Sequence, residues 1–163
     1  MATQFDDTQT FTQDADTVMR MFCDRSYFER KYQQTAESYE ILECEQTADH
    51  FRIKARLKMR SSAPLPGFAK KFVAETMTVV QEDSWDANTR RGQLSVEIAG
   101  APVSIQADMA LVEQGEGAAN KMHWTVTCKV PLVGGKLEKL IADDIRQKAP
   151  RDLEVSRELV ADY

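Results

Sequence analysis

The 163-residue chain has little with which to build a covalent or metal-held framework. Its three cysteines, Cys23, Cys44 and Cys128, are odd in number, widely spaced and form no CxxC pair, so neither a disulfide set nor a zinc site is expected. Histidine is scarcer still. His50 falls in an expected turn and His123 on an expected wet strand face, and neither has a motif-linked serine, cysteine or acid. No pair of carboxylates sits at a spacing that a helix or strand would bring together, so catalytic residues, metals and cofactors are not expected. There is no run of about 18 apolar residues to span a membrane. The opening MATQFDDTQTF lacks the basic and apolar stretches of a signal peptide, and a reduced, cytoplasmic setting is the expectation. Positive charge is also short. The formal net charge of -5 argues against nucleic acid and anionic membranes, both of which reward clustered cations.

What is present suits one domain over residues 1–163: 42% hydrophobic residues for a core and 29% charged residues for a solvated surface. Helical spacing occurs near the start and at the end, with strict alternation between. A strand is expected from Thr3 to Phe11, then a helix capped by Asp14 or Asp16 ahead of Val18, Met19 and Phe22. After a break at Cys23–Arg25, a second short helix is expected over Ser26–Tyr32. From His50 to Arg60, Phe51, Ile53, Ala55, Leu57 and Met59 alternate with five basic residues, a strand with one buried face. Similar faces are carried by Met77 and Val79, by Leu94, Val96 and Ile98, by Val103 to Leu111, and by Met122 to Val130.

Register follows from matching faces. Pairing Cys44 with Ile53 and Leu42 with Ala55 sets Glu45 opposite Arg52 and Glu43 opposite Lys54, and it turns Glu40 inward near Leu57. Pairing Val79 with Leu94 sets Glu82 opposite Arg91. Gly100-Ala101 suits a two-residue type II′ hairpin, and Gln114–Asn120 suits a looser loop. The apolar face so formed needs a cover, and the helical pattern Leu137, Leu140, Ile141, Ile145, Leu153, Leu159 and Val160 supplies it, with Pro150 expected to kink or interrupt that helix.

Strand, two short helices, six-strand meander and long final helix is the element order of the START-like (SRPBCC, helix-grip) superfamily. That superfamily includes pollen allergens, lipid-transfer domains and polyketide aromatase/cyclases. The chain resembles most a bacterial family of unknown function within it. The resemblance is carried by Val80-Gln81-Glu82-Asp83-Ser84-Trp85 and by Pro131-Leu132-Val133-Gly134-Gly135-Lys136-Leu137-Glu138. It implies an α+β helix-grip fold, a seven-stranded curved antiparallel sheet around a C-terminal helix, with an interior cavity open to apolar ligands. A fold shared by binders, carriers and enzymes does not fix a function.

The candidate ligand-binding residues are therefore the inward set Phe51, Ile53, Leu57, Met77, Leu94, Val96, Met109 and Trp124, with Leu140 and Asp144 from the helix. The same side chains would equally fill a solid core. Phe68 and Phe72, in the Pro-Leu-Pro-Gly loop after the basic strand, are candidates for a cavity mouth or for the local core. Glu40 and Asp144 can anchor a ligand or sit wet at a rim. Cys23, between Arg20 and Arg25, is the thiol with basic neighbours. Gly134-Gly135 lacks the spacing of a phosphate loop and suits a tight turn into a helix. Three functions follow in order: a non-enzymatic binder or carrier of an apolar small molecule or lipid; a cyclase- or hydrolase-type enzyme; and an interaction module with a filled core, an exposed apolar patch and a homodimeric state.

Overall fold

The computed structural model describes residues 2–163. Strand β1 (Ala2–Phe11) leads to helices α1 (Ala15–Phe22) and α2 (Arg25–Thr35). Strands β2 (Ser38–Gln46), β3 (His50–Arg60), β4 (Thr76–Asp86), β5 (Arg91–Ile98), β6 (Val103–Gln114) and β7 (Gly117–Cys128) follow, and helix α3 (Gly134–Leu159) closes the chain. The sheet is antiparallel with order β1-β7-β6-β5-β4-β3-β2, so consecutive hairpins build it and β1 returns to pair with β7. This is the helix-grip architecture. The alternating residues of β3, β5 and β6 turn one buried face to the covered side of the sheet, as a period of two requires. Asp14 caps α1 by accepting a hydrogen bond from the Thr17 N–H (2.8 Å), and Asp24 caps α2 through the Ser26 N–H (3.1 Å).

The β2–β3 register holds at Cys44–Ile53, Glu45–Arg52 and Glu43–Lys54, but a bulge at Leu42 shifts the rest. Ile41, not Leu42, lies opposite Ala55, and Tyr39 lies opposite Leu57. The bulge on this edge strand lets Tyr39 and Cys44, which differ in parity, both face inward. Glu40 is consequently outward, bonded to Arg56 (3.3 Å). The β4–β5 register differs by four residues from the one that face matching favours: Val79 pairs with Ile98, Leu94 with Asp83 and Arg91 with Asp86. An even shift keeps the same residues inside, so face matching alone cannot detect it. The turn decides. Asp86 accepts hydrogen bonds from the Asn88 (2.9 Å) and Thr89 (3.1 Å) N–H groups, and the polar run Gln81–Asp86 is thereby strand rather than loop.

The two hairpin expectations exchange places. Residues 99–102 form a four-residue connection, with Gly100 at φ +73 in its second position, because Pro102 has no N–H and pairing resumes beyond it. The tight turn is Gly115-Glu116, with Gly115 at φ +62, and Gln114 pairs directly with Gly117. Ala118, Ala119 and Asn120 are accordingly buried strand residues paired with β1. Helix α3 runs through Pro150 without interruption. Pro150 is exposed, so the Arg146 carbonyl that it leaves unbonded faces the solvent side.

The helix is clasped to the sheet by a buried acid. Glu138 accepts hydrogen bonds from the Cys128 N–H (2.9 Å) and the Thr3 hydroxyl (3.1 Å), joining the start of α3 to β7 and β1. Across the sheet, Trp85 lies over Gly92. A Cβ there would fall 2.6 Å from the Ser84 carbonyl oxygen and 2.7 Å from the indole. Gly92→Ala is therefore expected to cost about 1–3 kcal/mol through overpacking, read as a lower midpoint in urea unfolding.

Candidate functional site

Between the sheet and α3 lies a cavity of about 320 Å³. Its apolar wall is built from alternate positions of the meander: Leu94, Val96 and Ile98 of β5, Ile105 and Met109 of β6, and Met122 and Trp124 of β7. Leu140, Ile141 and Ile145, one stripe of α3, face them. At one end Phe22, Tyr27, Phe28 and Trp85 bring aromatic rings, with Phe22 stacked on Trp85 at 5.1 Å. The β3–β4 loop adds Ser61, Ser62, Ala63, Leu65 and Val73.

Of the residues singled out from the sequence, Met77, Leu94, Val96, Met109, Trp124, Leu140 and Asp144 line this cavity. Phe51, Ile53 and Leu57 do not. They are buried where the short helices cover β3, and Phe51 is stacked on Phe28 at 5.7 Å. Phe68 and Phe72 flank a 3-10 turn, Ala69–Lys71, and pack half-buried against the core, with the Lys136 ammonium 6.0 Å from the Phe68 ring. Leu65 and Val73 of the same loop reach the cavity instead. Asp144 fixes that loop to α3, accepting hydrogen bonds from the Ser62 N–H (2.5 Å) and hydroxyl (2.6 Å) while pairing with Lys148 (2.7 Å). Burial pushes the Cys23 thiol up to about 11, so it is protonated near neutrality. Among the described residues, no three His, Cys, Asp or Glu side chains gather as metal ligands, and no helix is long and apolar enough to cross a membrane.

The polar part of the site is the part that alternation concealed. Gln81 and Asp83 share the inward parity of Met77, Val79 and Trp85, and this parity was the available signal. Asp83 is 6% exposed, and its Oδ1 accepts a hydrogen bond from Gln81 Nε2 at 3.0 Å. Lys31 reaches in from α2 and pairs with Asp152 of α3 at 3.1 Å. Tyr27 and Ser156 share a buried hydroxyl–hydroxyl bond of 2.7 Å. On the far side Asn120, 2% exposed, donates to Gln9 (3.0 Å) and leaves its Oδ1 without a partner, as are Trp124 Nε1 and the Tyr32 hydroxyl among the described residues. Five aspartates line the cavity, Asp7, Asp83, Asp143, Asp144 and Asp152, against two lysines, Lys31 and Lys148.

Burial pushes the Asp83 carboxyl up to about 6, against the opposing pull of Lys31. The folded state thus holds this proton more tightly than the unfolded chain. The resulting penalty is absent below about pH 4, grows between pH 4 and 6, and is complete above that. Asp83→Asn should therefore stabilise the protein at pH 7.5 by on the order of 2 kcal/mol. The gain should shrink toward zero at pH 4, as measured by urea unfolding of both proteins across that range.

Known proteins resemble the chain along most of its length. An uncharacterized protein of Mycobacterium tuberculosis is 25% identical over 158 residues, covering 90% of each chain. Among solved structures, an aromatase/cyclase from Streptomyces sp. R1128 superposes with a TM-score of 0.69 at 12% identity, covering 99% of this chain and 94% of its own. A START superfamily protein from Mycobacterium smegmatis gives 0.61 at 15%, covering 96% and 98%. These likenesses show that the chain shares the fold of these proteins. A family model matches residues 6–160, and the chain accordingly belongs to DUF2505, a family described as proteins of unknown function.

Proposed function

We propose that this protein binds or carries an apolar small molecule or lipid in the cavity between its sheet and α3. The observation that carries the reading is the cavity itself, about 320 Å³ of space with mostly apolar walls and a few fixed polar groups. That size and composition are those of small-molecule sites. Met77, Leu94, Val96, Met109, Trp124 and Leu140 would contact the ligand's body, and the Asp144–Ser62 contact would hold the β3–β4 loop over it. The superfamily likeness supports the same reading.

A cyclase-type enzyme is the second reading, favoured by the convergence of Asp83, Lys31 and Tyr27 on the cavity. An acid near its own pKa and a lysine are groups with which proton transfer can be carried out. An interaction module with a homodimeric state draws on less: Leu132 is fully exposed, and one such residue is not a patch.

The test is uptake of a neutral apolar fluorophore, N-phenyl-1-naphthylamine, together with native mass spectrometry and organic extraction of the purified protein. The expected result is saturable binding of one molecule per chain. Met109→Trp or Val96→Phe, which fill the space, should reduce it at least tenfold while the folded circular-dichroism spectrum persists. Empty protein that takes up no probe would overturn the proposal.

A further inference from the structure

Asp83 sits in a row of apolar neighbours. Ile53 lies opposite it on β3 and Leu94 on β5. One carboxylate oxygen is bonded to Gln81 at 3.0 Å, and the other has no hydrogen bond among the described residues. A buried carboxylate left half-satisfied is costly unless something else completes it. Lys31 does not. Its ammonium is committed to Asp152 at 3.1 Å, and no ion pair within 4.0 Å joins it to Asp83. The other lining lysine, Lys148, is likewise held by Asp144 at 2.7 Å. Lys31, Asp152 and Asp83 together carry one surplus negative charge when Asp83 is ionised, inside a cavity whose lining acids outnumber its bases.

Aromatic rings surround the same end. Phe22, Tyr27, Phe28 and Trp85 all line it, and Trp85 stands two positions from Asp83 on the same face of β4. An incompletely bonded carboxylate among aromatic faces is the environment that recognises an ammonium group, through ion pairing and attraction to the ring quadrupoles. A carboxylate ligand would add a second surplus negative charge to a low-dielectric space. A ligand without a donor would leave Asp83 as it is.

We infer that the cavity's ligand is an apolar amine, its protonated nitrogen seated against Asp83 among Phe22, Tyr27 and Trp85, and its body lying along Leu94, Val96 and Met109. This rests on the cavity-binding reading and deepens it. A proton competes with the ammonium for the same oxygen. Around Asp83 stand Lys31, Tyr27 and Tyr32 from α2, Asp152 from α3 and Glu82 on β4 itself. Among these, Asp83 is the group with a carboxyl brought up to about 6, so amine affinity falls as pH drops through that value.

The experiment is calorimetric titration of the full chain with three ligands of one naphthyl body: 2-(1-naphthyl)ethylamine, 2-(1-naphthyl)ethanol and 1-naphthylacetate. At pH 7.5 the amine is expected to bind at least tenfold tighter than the acid and severalfold tighter than the alcohol. Between pH 7.5 and 5 its affinity should fall about fivefold or more, while that of the alcohol changes by less than twofold. Asp83→Asn should abolish the preference for amine over acid and alcohol. Equal binding of amine and acid, a flat pH profile for the amine, or an amine preference that survives Asp83→Asn would overturn the inference. If the alcohol binds without any charge preference, this inference alone fails. If none of the three binds and the neutral fluorophore is also refused, the cavity-binding reading fails with it.

Discussion

One helix cannot fill the concave side of seven strands, and most of this structure follows from that mismatch. Strands about 4.8 Å apart make a sheet roughly 29 Å across before curvature, whereas a helix with its side chains is about 10 Å wide. The inner face is apolar on almost every strand, so the uncovered remainder must be screened from water by something else. At the β2–β4 side α1 and α2 do this with Phe22, Tyr27, Phe28 and Tyr32, whose rings form a continuous series of contacts ending on Phe51 and Trp85. Over β5, β6 and β7 the cover comes from α3, with α1 against β6 and β7, and space remains. The cavity is the residue of a geometric shortfall, and its place between α3 and the meander needs no dedicated residues to specify it.

Holding α3 over such a gap calls for contacts at the helix ends. Near the N-terminus Glu138 bonds β7 and β1 together. Near the C-terminus Ser156 meets Tyr27, and Arg157 donates to the Thr10 carbonyl (2.9 Å) and hydroxyl (2.7 Å). The stretch between, which lines the cavity, is tied by lighter means: Asp144 to Ser62, and the Arg146 guanidinium over the Phe5 ring at 4.2 Å. Pro150 removes one backbone rung within this stretch, the bond to the Arg146 carbonyl. The helix is thus fixed where it meets packed protein and least constrained where it faces the space.

How much of this was legible in the sequence depended on which face carried the signal. The His50–Arg60 strand was readable to the residue because Phe51, Ile53, Ala55 and Leu57 alternate with cations. The architecture followed from repeated alternation and one terminal helical stripe. What could not be read were features that parity leaves open. The four-residue slip of β4 on β5 preserves every face, and only the Asp86 turn distinguishes it. The Leu42 bulge reverses parity within one strand and so moved Glu40 outward. In the candidate site, Met109, Leu94 and Trp124 were visible as inward apolar residues, but whether an inward residue touches a space or another side chain depends on what α1 and α2 cover. That is why Phe51, Ile53 and Leu57 are enclosed in the core while Val96 borders the cavity. Gln81 and Asp83 were missed because polar residues on an inner face read as the end of a strand.

Those two residues bear most directly on the proposed function, since stability gives no reason for them. A leucine at position 83 would continue the Ile53–Leu94 row, and buried charge networks replaced by apolar side chains of similar volume often leave a protein equally or more stable. Asp83 instead imposes desolvation, draws Gln81 inward as a partner and sits beside Lys31, itself mostly buried and bound to Asp152. Three elements, α2, β4 and α3, each contribute a polar group to one end of an otherwise oily space. A core built for stability would exclude all three, whereas a site that must distinguish one polar head from another requires groups of this kind, because apolar walls discriminate ligands weakly and unpaired buried polar atoms discriminate them strongly.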